Sequence, residues 1–176
     1  MTHYESIYEA AADNYGLITS VEAREMGISY KEMSALASRG MIERRGHGVY
    51  RLSRWVPTPN DRYAEAVALV GPDSYLWGEA VLAMHGLALV NPRTLTVANP
   101  RRVRRKLPIW VKAVSGTEGA ATSYEGVPSQ SIPDAIRTCK GKVMPERLVE
   151  AARDARREGL ITQDEMDDLL KEIENG

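Results

Sequence analysis

The sequence predicts an α+β protein: short capped helices and a glycine-turned hairpin at the N-terminus, then a mixed α+β domain that closes with helices. Three observations carry this. Two S/T-x-x-E boxes, Thr19-Ser20-Val21-Glu22 and Ser29-Tyr30-Lys31-Glu32, follow each other closely, and glycines at 27 and 40 end the helices they open. Two β-prone arms then flank Gly46-His47-Gly48. Further on, the β-branched runs Thr94-Leu95-Thr96-Val97 and Pro108-Ile109-Trp110-Val111 precede helical stretches at 146–157 and 163–173.

The first helix is expected over residues 3–14, where Ile7, Ala10 and Ala11 recur at helical spacing and Tyr4 and Tyr8 extend the flank. Gly16 stops it, and Leu17-Ile18 add a short strand. In each capping box the hydroxyl accepts the N3 amide proton while the glutamate reaches back to the cap amide. Glycine ends each helix because it takes the left-handed cap conformation without steric cost. The second and third helices are thus separated by a turn of a few residues, as a DNA-binding helix-turn-helix requires. Met41 to Arg51 adds a hairpin with arginines on both arms. Residues 1–54 therefore read as a winged helix-turn-helix.

Trp55-Val56-Pro57-Thr58-Pro59-Asn60, broken by two prolines, reads as a boundary before a second domain at 60–176. A helix is expected over 61–70, a turn at Gly71-Pro72-Asp73, and a buried small-residue helix from Tyr75 to His85 ending at Gly86. Residues 127–133 read as irregular, with a helix starting after Pro133. Thr162-Gln163-Asp164-Glu165 is another capping box.

At 176 residues, 43% hydrophobic and 27% charged, the chain can bury a core of its own; with no Phe, that core rests on Leu, Val, Ile, Ala and Met. The single Cys139 excludes an internal disulfide, fits a reducing compartment and is expected as a buried, inert thiol. No apolar run approaches the ~20 residues of a membrane span. The N-terminus lacks the basic start and apolar stretch of a signal peptide, so a cytoplasmic location is expected. The net charge of -1 hides segregation. Arg93 to Lys112 carries seven bases and no acid, whereas Ala113 to Gly176 carries thirteen acids against eight bases. Such a chain can offer one surface to a polyanion and another to a cationic partner.

At 100° per residue, the helix opened by Ser29 turns Met33, Leu36 and Ala37 inward. It turns Lys31, Ser34, Ala35 and Ser38 outward, flanked by Tyr30 and Arg39. Lys and Ser are common on any solvated face, but small residues also let a helix approach base edges closely in the major groove. The hairpin beside it favours the groove. The expected DNA contacts are therefore Tyr30, Lys31, Ser34, Ser38 and Arg39 on the helix, and Arg44, Arg45, His47 and Arg51 along the wing. Arg101, Arg102, Arg104, Arg105 and Lys106 form an acid-free run that would extend this footprint or meet another anionic partner. The acidic residues Asp164, Glu165, Asp167 and Asp168 read either as a solvated helix face or as a surface for a basic partner.

The chemistry of an enzyme is missing from the pattern. Gly71-Pro72-Asp73-Ser74 offers one carboxylate where a two-metal nucleotidyltransferase needs a pair. No phosphate-binding loop and no nucleophile elbow occur. Glu79 and His85 fall about 240° apart on a helix, so they cannot share a metal there. Three widely spaced histidines and one cysteine give no zinc pattern. His85, at a helix end, reads as structural. A divergent nuclease using Asp73, Glu79 or Asp134 is the weakest alternative. No cofactor and no metal are expected.

The chain resembles the antitoxins of the AbiEi family, the regulatory half of type IV toxin–antitoxin and abortive-infection systems. Gly16-Leu17-Ile18-Thr19, Gly40-Met41-Ile42-Glu43-Arg44 and Gly48-Val49-Tyr50-Arg51 are similar to that family's winged helix. Trp77 to Leu87 is similar to the small-residue helix that follows, and Ser131-Ile132-Pro133-Asp134-Ala135 to a later helix start. The resemblance spans about residues 14–138. It implies a transcriptional repressor that binds its own promoter as duplex DNA and counteracts a nucleotidyltransferase-like toxin. The alternative is a module that neutralises a toxin by direct binding, with the winged helix only structural. Paired half-sites are the usual operator of such proteins, so a homodimer on DNA is expected.

Overall fold

The computed structural model describes residues 1–116, 119 and 122–176. The chain forms two compact units, Met1–Pro72 with Arg104–Pro108, and Asp73–Val103 with Ile109–Gly176.

In the first unit, α1 (His3–Ala12) opens at a capping box that the sequence reading missed. Thr2 Oγ1 accepts the Glu5 amide at 3.2 Å, and the Glu5 carboxylate accepts the Thr2 amide at 2.6 Å. Gly16, at φ 72°, then turns the chain into β1 (Leu17–Thr19); a Cβ there would lie 2.7 Å from the Trp55 ring. Next come α2 (Ser20–Glu25) and α3 (Tyr30–Ser38). Their cap hydroxyls work as expected, with Thr19 accepting from the Glu22 amide at 3.1 Å and Ser29 from the Glu32 amide at 3.2 Å. The Glu32 carboxylate lies 2.7 Å from His3 Nδ1, which ties α3 to α1.

β2 (Ile42–Gly46) and β3 (Val49–Leu52) form the hairpin, and the antiparallel sheet runs β1-β3-β2. One face of this sheet presents Ile18, Ile42, Tyr50 and Leu52 to Ile7 and Ala11 of α1, Ala23 of α2, Ile28, and Met33 and Leu36 of α3. Burying each large apolar side chain contributes about 1.5–3 kcal/mol, so this cluster is what fixes α3 against the wing. α4 (Asp61–Val70) packs on β1 and brings Leu69 against Gly46. The proline-broken stretch before α4 is thus a connection inside the first unit, which runs on to Pro72.

The second unit is α+β as expected. It contains β4 (Tyr75–Leu76), α5 (Glu79–Met84), β5 (Leu95–Asn99), β6 (Val111–Ser115), β7 (Thr122–Tyr124), β8 (Val127–Ser129), α6 (Ile132–Thr138), α7 (Pro145–Arg157) and α8 (Gln163–Asn175). The mixed sheet runs β6-β5-β4-β8-β7, with β5/β6 and β4/β8 parallel. Two expectations need correction. The helix expected from Tyr75 starts only at Glu79, because Tyr75 and Leu76 pair with Ala98 and Val97 in the sheet. Gly78, at φ 60°, separates strand from helix and donates its N–H to Gln130 Oε1 at 2.7 Å. Val127–Ser129, expected as irregular, is a strand in which Pro128 stands opposite Ser123.

Ser131 caps α6, with Pro133 in its first turn, and Thr162 and Glu165 complete the box that opens α8. Cys139 is buried, and burial pushes its thiol up to about 11. Among the described residues no helix is long and apolar enough to cross a membrane.

Candidate nucleic-acid interface

The outer face of α3 carries Tyr30, Lys31, Ser38 and Arg39, all exposed, with Ser34 and Ala35 half-buried between them. Tyr30 is 63% exposed, a large aromatic with no core role. The geometry follows from the inward turn of Met33 and Leu36, which leaves the small residues on the opposite side.

Tyr50 on β3 is 2% exposed and belongs to the core beneath this face. Burial pushes the Tyr50 phenol up and the neighbouring Tyr30 phenol adds to this, while the Arg44 guanidinium and the Ser20 hydroxyl pull it back. Arg44 stands opposite Tyr50 in the ladder, exposed, and donates from Nε to the Gly46 carbonyl at 3.4 Å. His47, at the hairpin tip, is exposed.

The next arginine has a different environment. The register shifts between Arg44 and Gly46, so Arg45 sits at a bulge, a device that re-aims a side chain. Its Nε lies 2.5 Å from Glu65 Oε1, its Nη2 is 3.4 Å from Oε2, and its Nη1 is 3.9 Å from Glu43. Hydrogen bonding to Glu65 holds its pKa above the ordinary arginine value. Arg51 shares the same carboxylate through Nη1 at 2.9 Å, and also donates to the carbonyls of Tyr15 and Asp61 at 3.2 and 3.3 Å. Its side chain is only 12% exposed. The expectation that Arg51 lies along phosphates is therefore corrected: its donors are committed to the interior of this unit. Glu65, 3% exposed in α4, was missed. Its only sequence signal was an acid at an otherwise apolar helix position, flanked by Ala64 and Ala66.

The basic run 101–106 lies in an irregular connection between β5 and β6. Arg101 and Arg102 are exposed in the second unit, where the Arg101 amide donates to Asn99 Oδ1 at 2.8 Å. Arg104, Arg105 and Lys106 belong to the first unit. Arg105 donates to the Leu69 carbonyl at 3.4 Å and lies against Gly71, the C-cap of α4. The negative end of a helix is where a cation is favoured. Leu69 also fills the space beside Gly46, so this segment sits near the wing turn, with Arg104 and Lys106 exposed.

In the second unit, Asp164, Asp167 and Asp168 of α8 are exposed, with Asp167 accepting from Gln163 at 3.1 Å. Glu165 is different: its carboxylate caps the helix by accepting the Thr162 amide at 2.9 Å. Asp73, Glu79 and Asp134 do not converge with other ligands, since among the described residues no group of three or more His, Cys, Asp or Glu could hold a metal. The His85 ring lies 4.1 Å from that of Tyr124, and burial lowers its pKa.

Helices α2 and α3 packed on a three-stranded antiparallel wing, with the outer face of α3 open, define a winged helix-turn-helix. In such folds the second helix is the one that enters the major groove. Residues 5–53 match the family model described as a transcriptional regulator, AbiEi antitoxin. No curated protein matches the chain. Among solved structures, the chain is similar to the RV2827C protein from Mycobacterium tuberculosis at 14% identity and a TM-score of 0.52. That likeness covers 97% of this chain and 72% of the other, and at this identity it shows a shared fold.

Proposed function

We propose that this protein is a transcriptional regulator of the antitoxin type, which represses its own promoter by binding duplex DNA through α3 and the wing. The observation that carries the reading is the exposed outer face of α3, with Tyr30, Lys31 and Ser38 around Ser34, packed beside a hairpin whose Arg44 and His47 are also exposed. Lys31, Ser34, Ser38 and Tyr30 would meet base edges, and Arg39, Arg44 and His47 would meet phosphates or the minor groove. Arg104 and Lys106, held near the wing turn by Arg105, would add phosphate contacts. Arg101 and Arg102 offer further cationic contacts. The protein would act as a dimer on paired half-sites. In the second unit, the exposed acids of α8 offer a surface to a basic partner, such as the nucleotide-handling cleft of a nucleotidyltransferase-like toxin.

The test is a gel-shift series on the protein's own promoter. Lys31→Ala and Ser34→Ala should change preference among operator variants, each correct base contact being worth about 1–3 kcal/mol. Arg44→Ala should weaken binding to every sequence alike. Equal shifts by the wild type and by a combined Lys31/Arg44 alanine variant would remove this face from the function.

A further inference from the structure

We infer that Glu65 is a positioning residue that sets the number of wing charges available to nucleic acid, by withholding Arg45 while leaving Arg44 free. The inference rests on the DNA-binding reading above and deepens it.

Arg44 and Arg45 are neighbours in β2, so they point to opposite faces of the sheet. Arg44 stands opposite Tyr50 in the ladder and is exposed. Arg45 lies on the face shared with Glu43 and Arg51, where the Glu65 carboxylate of α4 receives two of its nitrogens. The third nitrogen is 3.9 Å from Glu43. Arg45 is 40% exposed in its side chain, so solvent reaches it, but each of its nitrogens already faces a carboxylate. The second arginine on Glu65, Arg51, is bonded to two backbone carbonyls as well. The group Glu43, Glu65, Arg45 and Arg51 therefore has two charges of each sign. Among the described residues, a wing that reads as three arginines in sequence presents one guanidinium without a carboxylate partner, that of Arg44.

A bound phosphate would have to draw Arg45 off a carboxylate that is itself almost wholly buried, leaving that carboxylate with Arg51 alone. Separating a buried pair is disfavoured, because the remaining charge has no solvent to turn to. Glu65 thus competes with the nucleic-acid backbone for Arg45, and it competes from inside the same unit, at fixed geometry. Its consequence is a weaker sequence-independent attraction than the arginine count suggests. That raises the relative weight of the α3 base contacts.

The experiment measures the salt dependence of binding to a labelled duplex of arbitrary sequence, about two helical turns long, by fluorescence anisotropy. Each neutralised phosphate contributes about 0.9 to the slope of log K against log salt. Arg44→Gln should lower the slope by about 0.9, and Arg45→Gln should leave it unchanged. Glu65→Gln should release Arg45 and steepen the slope by about 0.9, and adding Arg45→Gln to it should restore the wild-type value. A purely structural Glu65 would move the unfolding midpoint and leave the slope alone. Arg45 faces solvent, so Arg45→Gln remains informative where Glu65→Gln unfolds. If Arg45→Gln lowers the slope as much as Arg44→Gln, Arg45 is a phosphate contact and the inference is overturned while DNA binding stands. If the wild type shows no salt-dependent binding, the DNA-binding reading fails and takes this inference with it.

Discussion

Four donor contacts converge on the carboxylate of Asp61. The Thr58 amide reaches it at 3.0 Å and the Thr58 hydroxyl at 2.5 Å, while the Trp55 indole lies 3.1 Å from both of its oxygens. Burial alone would raise this carboxyl, but the Thr58 and Trp55 hydrogen bonds and the nearby Arg51 outweigh it and leave its pKa below the ordinary value. A carboxylate with a depressed folded-state pKa stabilises the fold above its unfolded value of about 3.9, and that stability is lost as pH falls through the folded value. Asp61→Asn should therefore lower stability at pH 7, by about 1–2 kcal/mol from the loss of charge-assisted bonds. The gap to wild type should close in strongly acidic urea titrations; an equal gap at both pH values would show that the charge is not what matters. Single residues were only partly legible beforehand. The outward face of α3 followed from periodicity, because one helix is a local object. The fate of Arg45 and Arg51 did not, because their partner Glu65 lies in a different element and no spacing rule links them.

Local chemistry also decides which elements could be read. The helices opened by Thr19, Ser29 and Thr162 were visible because a cap places its donor and acceptor three residues apart. The strands β7 and β8 were not, since Thr122 to Tyr124 is polar and short and β8 contains a proline. Their pairing is set by neighbours in the sheet rather than by their own pattern. The hairpin was recognised from its glycines, but for an incomplete reason. Gly48 takes φ 65°, as a turn requires, whereas Gly46 has an ordinary φ and is needed for space: a Cβ there would collide with the Leu69 side chain. Gly46→Ala should thus destabilise the first unit by about 1–3 kcal/mol through overpacking. Combining it with Leu69→Ala should cost less than the sum of the two single changes. Strict additivity in chemical denaturation would mean that the wing and α4 are not coupled at this point.

At the scale of the whole chain, the α+β class and the charge segregation were both legible, since each is a sum over many residues. The proposal that α8 serves a cationic toxin surface makes a separable claim. Asp164→Lys, Asp167→Lys and Asp168→Lys together should impair rescue of cells from the toxin and leave promoter binding intact. Like-signed potentials slow association by about 10-fold or more. Glu165 is left unchanged because it caps the helix. Unimpaired rescue by the triple variant would discard the acidic face. The limits of the units were not legible, because Arg104–Pro108 belongs to the first unit although more than thirty residues of the second precede it in the chain. This path bears on how such a protein can be inherited. A single crossover between Pro72 and Arg104 would hand one parent's α4 a foreign arginine at its C-terminal carbonyls. Shuffling of the winged helix among relatives therefore has to carry two separated stretches of coding sequence together, or find a new residue to close α4.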